Sequence, residues 1–287
     1  NMTFYSWWCI DEGIGLANLK KYNNSLKLFS RMHAYDLYFE RYKPNYLPFR
    51  GIVFEKFNRI FVISKQGKDY LENKLDRVLP NLSVLKLGVK NNFELPDRKY
   101  NDGKLLIVSC SSLIPLKRIH LIIEALSEVN TSIEVNWIHF GIGPSSNILK
   151  ELGRIKLNEL SNIKYDFYGG INNEELHRFY LENSVDLFLN VSETEGIPIS
   201  IMEAMSYGIP CVGTDVGGVS ELISNDVNGF LLTKDFTVSE LVNVFDKVAS
   251  WSLLEQKNKS ISAYKMWNEN FNSDKNNSTL VNEMVEC

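Results

Sequence analysis

Apolar runs without polar alternation recur along the chain, and between them apolar residues return every three or four positions. The first pattern is that of a strand buried on both faces in a parallel sheet, the second that of a helix laying one stripe on such a sheet. TFYSWW, SLKLF, RIFVISK (59–65) and SVLKLGV (83–89) read as strands, with helices over Gly13 to Lys21 and Gly67 to Val78. Farther on come KLLIVSC (104–110), EVNWIHFGIGP (134–144), IKYDFYGGI (163–171) and DLFLNV (186–191). Helices alternate with them: one started by Pro115 with Ile119, Ile122, Ile123 and Leu126 on one face, one ending near Leu160, and one over Glu174 to Glu182. After NGFLL (228–232) a helix runs from Val238 to about Trp251, and residues 255–287 read as two terminal helices. Repeated βα alternation predicts an α/β protein with parallel sheets. The polar, Pro-containing stretch Lys90 to Asp102 marks a linker, so the expected domains are 1–98, 99–254 and the helical tail 255–287.

The most informative stretch is Asp186 to Ile223. A buried strand leads into the polar loop SETEG, and Pro198 then starts a helix carrying Met202 and Met205 that Gly208 and Pro210 terminate. Strand, loop, helix, strand is the arrangement in which ligands bind beyond the carboxyl ends of the strands and helix N-termini attract anions. Glu195 falls on the loop and Glu203 in the early turns of the helix, with seven residues between them. Taken singly, Glu195 reads as a solvated loop charge and Glu203 as a complement to the helix dipole. The full string, E-G-x-P-x-x-x-x-E-A-M-x-x-G-x-P-x-V-x-T-D-x-G-G-x-x-E, joins both carboxylates to every backbone-special residue the turn needs. It resembles the E-x7-E donor-site signature of retaining GT-B glycosyltransferases of the family 4 type, also called glycosyltransferase group 1.

The resemblance implies two Rossmann-like domains with a cleft between them, terminal helices over 255–287 packing back toward the first domain, and a nucleotide-diphosphate sugar as donor. Glu203 is then expected to accept hydrogen bonds from ribose hydroxyls and Glu195 to bind donor-sugar hydroxyls, a covalent nucleophile being the less favoured role. The turn Gly196, Ile197, Pro198 and Ile199 is then expected to bind the donor, its backbone N–H groups, which Pro198 lacks, facing the diphosphate. In the helix begun by Pro115, Lys117 and Arg118 fall in the first turn, where positive charge opposes the macrodipole and an anion would relieve the penalty. The family pattern there is G-R-L-x-P-x-K-G: Lys117 matches its phosphate-binding lysine, Ser112 stands where an arginine is usual, and Arg118 replaces a glycine as a substitute charge. The Gly141-Ile142-Gly143 and Gly169-Gly170 turns line the nucleotide pocket in the family, although such glycines equally serve plain tight turns. The segment with Arg31, His33 and Asp36, expected as a polar, aromatic-rich loop, reads S-R-x-H-x-Y-D-L-Y and resembles a first-domain segment whose histidine, here His33, reaches the donor sugar. There is no D-x-D pair, so no divalent metal and no cofactor is expected.

With 44% hydrophobic and 23% charged residues the 287-residue chain is ordinary for a globular protein of about two domains. No apolar run nears the ~20 residues of a membrane-spanning helix, no leader pattern opens the chain, and the four cysteines have no metal-ligand spacing. A reducing, cytoplasmic setting is expected, with the Asn130-Thr131-Ser132 sequon incidental. Fewer than a hundred residues is short for a Rossmann-like domain, so the first is expected to be incomplete. Charge is asymmetric: 16 Lys and Arg against 10 Asp and Glu up to Arg98, then 15 against 25. A basic first part fits either surface scatter or a peripheral contact with anionic lipid or a lipid-linked acceptor at the inner membrane face. The expected function is sugar transfer to a glycan or lipid-linked acceptor hydroxyl, with no nucleic-acid partner. A non-catalytic nucleotide-sugar-binding homologue or partner subunit is the alternative, motivated by Ser112 and the short first domain. An epimerase or hydrolase would release or alter sugar without an acceptor, and an oxidoreductase is disfavoured because Ser146 interrupts the dinucleotide fingerprint.

Overall fold

The computed structural model describes residues 2–96, 104–129 and 134–286; the expected 98/99 boundary, the Asn130-Thr131-Ser132 sequon and Cys287 lie outside the described residues. The chain forms two compact units, residues 1–88 with 271–287, and residues 89–270. Two features differ from the expected boundaries. The polar stretch from Val89 joins the second unit, where the Asn91 amide donates to Ser206 O at 2.6 Å and the Trp267 indole to Val89 O at 3.2 Å. The two terminal helices part company: Leu253–Asn270 packs on the second unit, while Ser273–Glu286 belongs to the first.

In the first unit, β1 (Thr3–Ser6), β2 (Lys27–Met32), β3 (Arg59–Val62) and β4 (Leu82–Val84) form a parallel sheet in sequence order. β4 is only three residues long, so most of the 83–89 run lies beyond it. α1 (Asp11–Leu19), α2 (Ala34–Leu37), α3 (Arg50–Lys56) and α4 (Lys65–Leu75) connect the strands. Because side chains alternate across a strand, Leu28, Met32, Ile60 and Val62 enter one core with Ala17, Val53 and Leu71. Phe29 and Phe61 point the other way and join Leu85, Tyr5 and the side chains of Leu280 and Met284.

In the second unit a six-stranded parallel sheet contains β5 (Lys104–Cys110), β6 (Glu134–Phe140), β7 (Ile163–Gly169), β8 (Leu187–Asn190), β9 (Cys211–Thr214) and β10 (Gly229–Leu232). Its order is β10-β9-β8-β5-β6-β7. The chain therefore adds β6 and β7 on one side of β5 and returns to add β8, β9 and β10 on the other. β5 and β8 flank the point where the order reverses, the place where open α/β sheets bind ligands. The helices are α5 (Ile119–Glu128), α6 (Ser146–Leu157), α7 (Asn173–Glu182), α8 (Ile199–Ser206), α9 (Val238–Ala249) and α10 (Leu253–Asn270); α11 is the Ser273–Glu286 helix of the first unit. Ile119, Ile122, Ile123 and Leu126 of α5 are buried against Trp137 and Leu187. At α9, Thr237 and Glu240 form a reciprocal capping box.

Candidate functional site

The loops leaving β5 and β8 are fastened together at the reversal point. After β5, Pro115–Lys117 forms a single 3-10 turn, and Arg118 takes a left-handed backbone (φ 49°) before α5 begins at Ile119. Lys117 and Arg118 thus precede the α-helix instead of occupying its first turn, Arg118 standing at its N-cap. The Glu193 N–H donates to Leu116 O at 2.9 Å, and Lys117 Nζ donates to Glu195 Oε1 at 2.7 Å. Asn190, the last residue of β8, donates from its side-chain amide to the same carboxylate oxygen at 3.1 Å. The carboxylate is 12% and the ammonium 21% exposed, so the pair is solvent-reachable and yet fixed from two sides. Asn190 went unnoticed in the sequence; its signal is a polar residue closing an otherwise apolar strand.

Arg118 is held by acceptors of its own unit. Its Nε donates to Val191 O (2.7 Å), Nη1 to Lys234 O (2.8 Å), and Nη2 to Ser192 O (3.3 Å) and Thr214 Oγ1 (3.1 Å). The guanidinium also lies 5.1 Å from the Phe236 ring centroid. With these contacts it clasps the carboxyl ends of β5, β8, β9 and β10. A left-handed non-glycine residue costs roughly 1–2 kcal/mol. The clasp offsets that cost, which accounts for an arginine where the family pattern has glycine. Ser112 is exposed and offers only a hydroxyl.

Pro198 caps α8, preceded by Glu195, Gly196 and Ile197, and this loop rests on the turn after β9. Gly217 has φ +56°, and a Cβ there would stand 2.1 Å from Glu195 O; one at Gly218 would meet the Ile197 side chain at 2.5 Å. The Gly218 N–H donates to Gly196 O at 2.6 Å. Gly217 and Gly218 are therefore what lets the glutamate loop lie flat against its neighbour. The turn after β6 is built likewise: at Gly141 (φ +142°) a Cβ would collide with Ser111 O at 1.8 Å. Gly170, in contrast, has only the Ile142 side chain nearby, at 4.0 Å.

Glu203, on α8, is 7% exposed. Its nearest protein donor is the Asn173 amide at 3.4 Å, a long bond from a residue that sequence reasoning passed over as part of a helix start. Burial pushes the carboxyl up to about 7. Burial likewise raises the Cys110 thiol to about 11, with the Glu203 charge adding to the effect. A buried carboxylate so thinly supplied with donors is suited to accept hydrogen bonds from the hydroxyls of a ligand.

In the first unit, the expected loop around His33 is in fact a strand end followed by a helical turn. Arg31 lies in β2, His33 caps α2, and Asp36 lies within α2. Asp36 is fully buried and holds backbone: its Oδ2 accepts from Cys9 N at 2.7 Å and its Oδ1 from His33 N at 2.5 Å. The His33 ring lies between Trp7 (centroids 5.0 Å) and Trp8 (4.6 Å), and neither of its nitrogens has a protein partner. Burial, with the Arg31 charge adding, pushes His33 down to about 4, so it is neutral at pH 7.

Residues 91–266 match the family described as "Glycosyl transferases group 1". Among curated relatives, the N-acetyl-alpha-D-glucosaminyl L-malate synthase of Bacillus anthracis is 26% identical over 132 residues, 46% of this chain and 32% of that protein. The putative colanic acid biosynthesis glycosyltransferase WcaL of Escherichia coli K12 is 27% identical over 217 residues, 73% of this chain and 52% of its own length. The chain thus spans about a third to a half of the length of these relatives. Among solved structures, Anabaena Alr3699/HepE in complex with UDP superposes over 100% of this chain and 79% of its own, with TM-score 0.78 at 18% identity. The lipopolysaccharide outer core galactosyltransferase WaaB, in its apo form, gives TM-score 0.73 at 19% identity over 95% of this chain and 72% of its own. The fold is that of GT-B glycosyltransferases. Since the matched residues make up more than half of the sequence, the chain belongs to the glycosyl transferases group 1 family.

Proposed function

We propose that the chain transfers a sugar from a nucleotide-diphosphate donor to an acceptor hydroxyl, with the anomeric configuration retained and without a divalent metal. The observation that carries this reading is the Lys117–Glu195 pair, a cation and a carboxylate 2.7 Å apart at the reversal point of the parallel sheet. As the bond between the anomeric carbon and the diphosphate oxygen breaks, negative charge grows on the leaving phosphate and positive charge on the sugar. Preorganised charges aimed at those two places are the largest contribution a site of this kind makes. Lys117 serves the phosphate, helped by the backbone of the Gly196–Ile199 turn, and Glu195 binds the sugar hydroxyls. Glu203 takes the ribose hydroxyls, whose donors supply what its buried carboxylate lacks. The role carried over to His33 is a neutral hydrogen bond to the donor sugar.

The proposed acceptor is a glycan or lipid-linked saccharide, met by the basic first unit as a peripheral contact on a cytoplasmic membrane face. No helix among the described residues is long and apolar enough to cross a membrane. Two names support the reading: the structural neighbour's complex contains UDP, and the Escherichia coli relative is assigned to colanic acid biosynthesis. Ser112, exposed where a phosphate-binding arginine is usual, favours the second reading of a nucleotide-sugar binder without turnover. Thermal unfolding with UDP, GDP, ADP and their sugar conjugates tests the donor site, since ligand at a hundred times its Kd stabilises by about 2.7 kcal/mol. No shift with any of them refutes the donor site. A shift without sugar transfer to any acceptor supports the second reading. Transfer that Glu195→Ala abolishes while the nucleotide shift persists supports the first.

A further inference from the structure

Arg31 is 2% exposed, yet its Nε and Nη2 have no protein partner. These two nitrogens share the lateral edge of the guanidinium, the edge whose parallel N–H groups match a carboxylate or a phosphate. Burying such an edge unpaired opposes folding, so it calls for an explanation. Around it stand other groups in the same condition: the Tyr5 hydroxyl and both ring nitrogens of His33 are buried without partners. The register explains the grouping. Tyr5 pairs with Phe29 and Arg31 with Phe61, so Tyr5, Arg31 and the two phenyl rings share one face of the sheet. His33, just past the end of β2, is joined to them through Trp7, 5.0 Å from its ring. Trp7 completes it, its ring 5.4 Å from the guanidinium carbon and itself 48% exposed. Tyr35, 52% exposed, packs edge-on against Trp8.

A bidentate cationic edge and a hydroxyl beside half-exposed indole and phenol rings form a site for an anionic saccharide: the edge takes the oxyanion and the rings take the apolar faces of the sugar. We propose that Arg31 binds an oxyanion, carboxylate or phosphate, carried by the acceptor saccharide, and so selects acidic acceptors over neutral ones. This rests on the transferase reading for the word acceptor, but the binding itself does not depend on nucleotide.

The test is calorimetric titration of the full chain, in a Lys117→Ala background that removes the other phosphate-seeking cation, with methyl glucuronide, glucose 1-phosphate and methyl glucoside. At least one anionic saccharide is expected to saturate about tenfold more tightly than the neutral glucoside, and Arg31→Met to weaken it by about ten- to a hundredfold. Arg31→Lys, which keeps the charge and loses the fork, is expected to weaken it as well; Tyr5→Phe, which leaves the ring packing intact, supplies a reading should the arginine variants fail to fold. A preference for the glucuronide assigns a uronate-type acceptor, and one for glucose 1-phosphate a phosphorylated or diphosphate-linked acceptor. Equal affinity for the glucoside, anion binding indifferent to Arg31 and Tyr5, or no saturable binding of either anion overturns the proposal. Nucleotide-induced stabilisation of the unmodified chain, measured alongside, separates that outcome from failure of the donor site.

Discussion

Replacing Glu203 with Gln should make the protein more stable at alkaline pH while weakening its hold on nucleotide. Burial lifts the carboxyl from its ordinary 4.5 to about 7. At 1.36 kcal/mol per pKa unit, that difference corresponds to about 3 kcal/mol. The sign follows from proton linkage. Between these two values the folded state binds more protons than the unfolded chain, so the protonated acid contributes its stability below about pH 4.5, and that stability is lost as pH rises towards about 7. Glutamine has the shape of the protonated acid and cannot ionise. The variant should therefore match the parent near pH 4.5 and exceed it by up to about 3 kcal/mol at pH 8. Urea unfolding followed by tryptophan fluorescence at pH 5, 6.5 and 8 measures the gap, and the thermal shift with nucleotide measures the loss of binding. A parent and variant of equal stability at pH 8, or a gap that does not close on acidification, would refute the account of Glu203 as a carboxylate ionised at the expense of the fold.

Gly217→Ala should lower stability by about 1–3 kcal/mol and displace the glutamate loop, because the added Cβ would meet Glu195 O at 2.1 Å on a left-handed backbone; unchanged melting together with unchanged nucleotide binding would contradict this. Arg118→Gly relieves the backbone by about 1 kcal/mol yet deprives four acceptors of their donor, about 2 kcal/mol or more, so it should melt below the parent. A higher Tm for that variant would show that the clasp contributes less than the backbone strain it is set against.

The strand pattern was legible because buried parallel strands are continuous apolar runs: Lys104–Cys110 appears with the bounds the sequence predicts. Both glutamates were legible through their setting of glycines and prolines, and the structure shows what the Gly217-Gly218 pair does for it. What escaped was decided by contacts distant in sequence. Nothing local to Arg118 says that its acceptors are Val191, Ser192, Thr214 and Lys234. Pro115 signals a helix start, but the 3-10 turn and left-handed residue after it follow from the fit between two loops. α3 escaped because it is short and begins after Phe49, a non-glycine residue in the left-handed region. Arg31 was visible only as a charge; that its lateral edge is buried without a partner is a property of the packed sheet.

The placement of α11 bears on the order in which the molecule can be made. Its Leu280 and Met284 cover Phe29 and Phe61, and its Asn276 amide donates to Lys86 O at 3.2 Å and Leu87 O at 3.0 Å. In residues 1–88 this face is therefore joined by α11 only after residues 89–270, 182 in all, have been synthesised. At about 5–20 residues per second that is a wait of roughly ten to forty seconds. Throughout it Phe29 and Phe61 lack the cover of Leu280 and Met284, so a nascent chain paused inside the second unit exposes apolar surface that the finished fold covers.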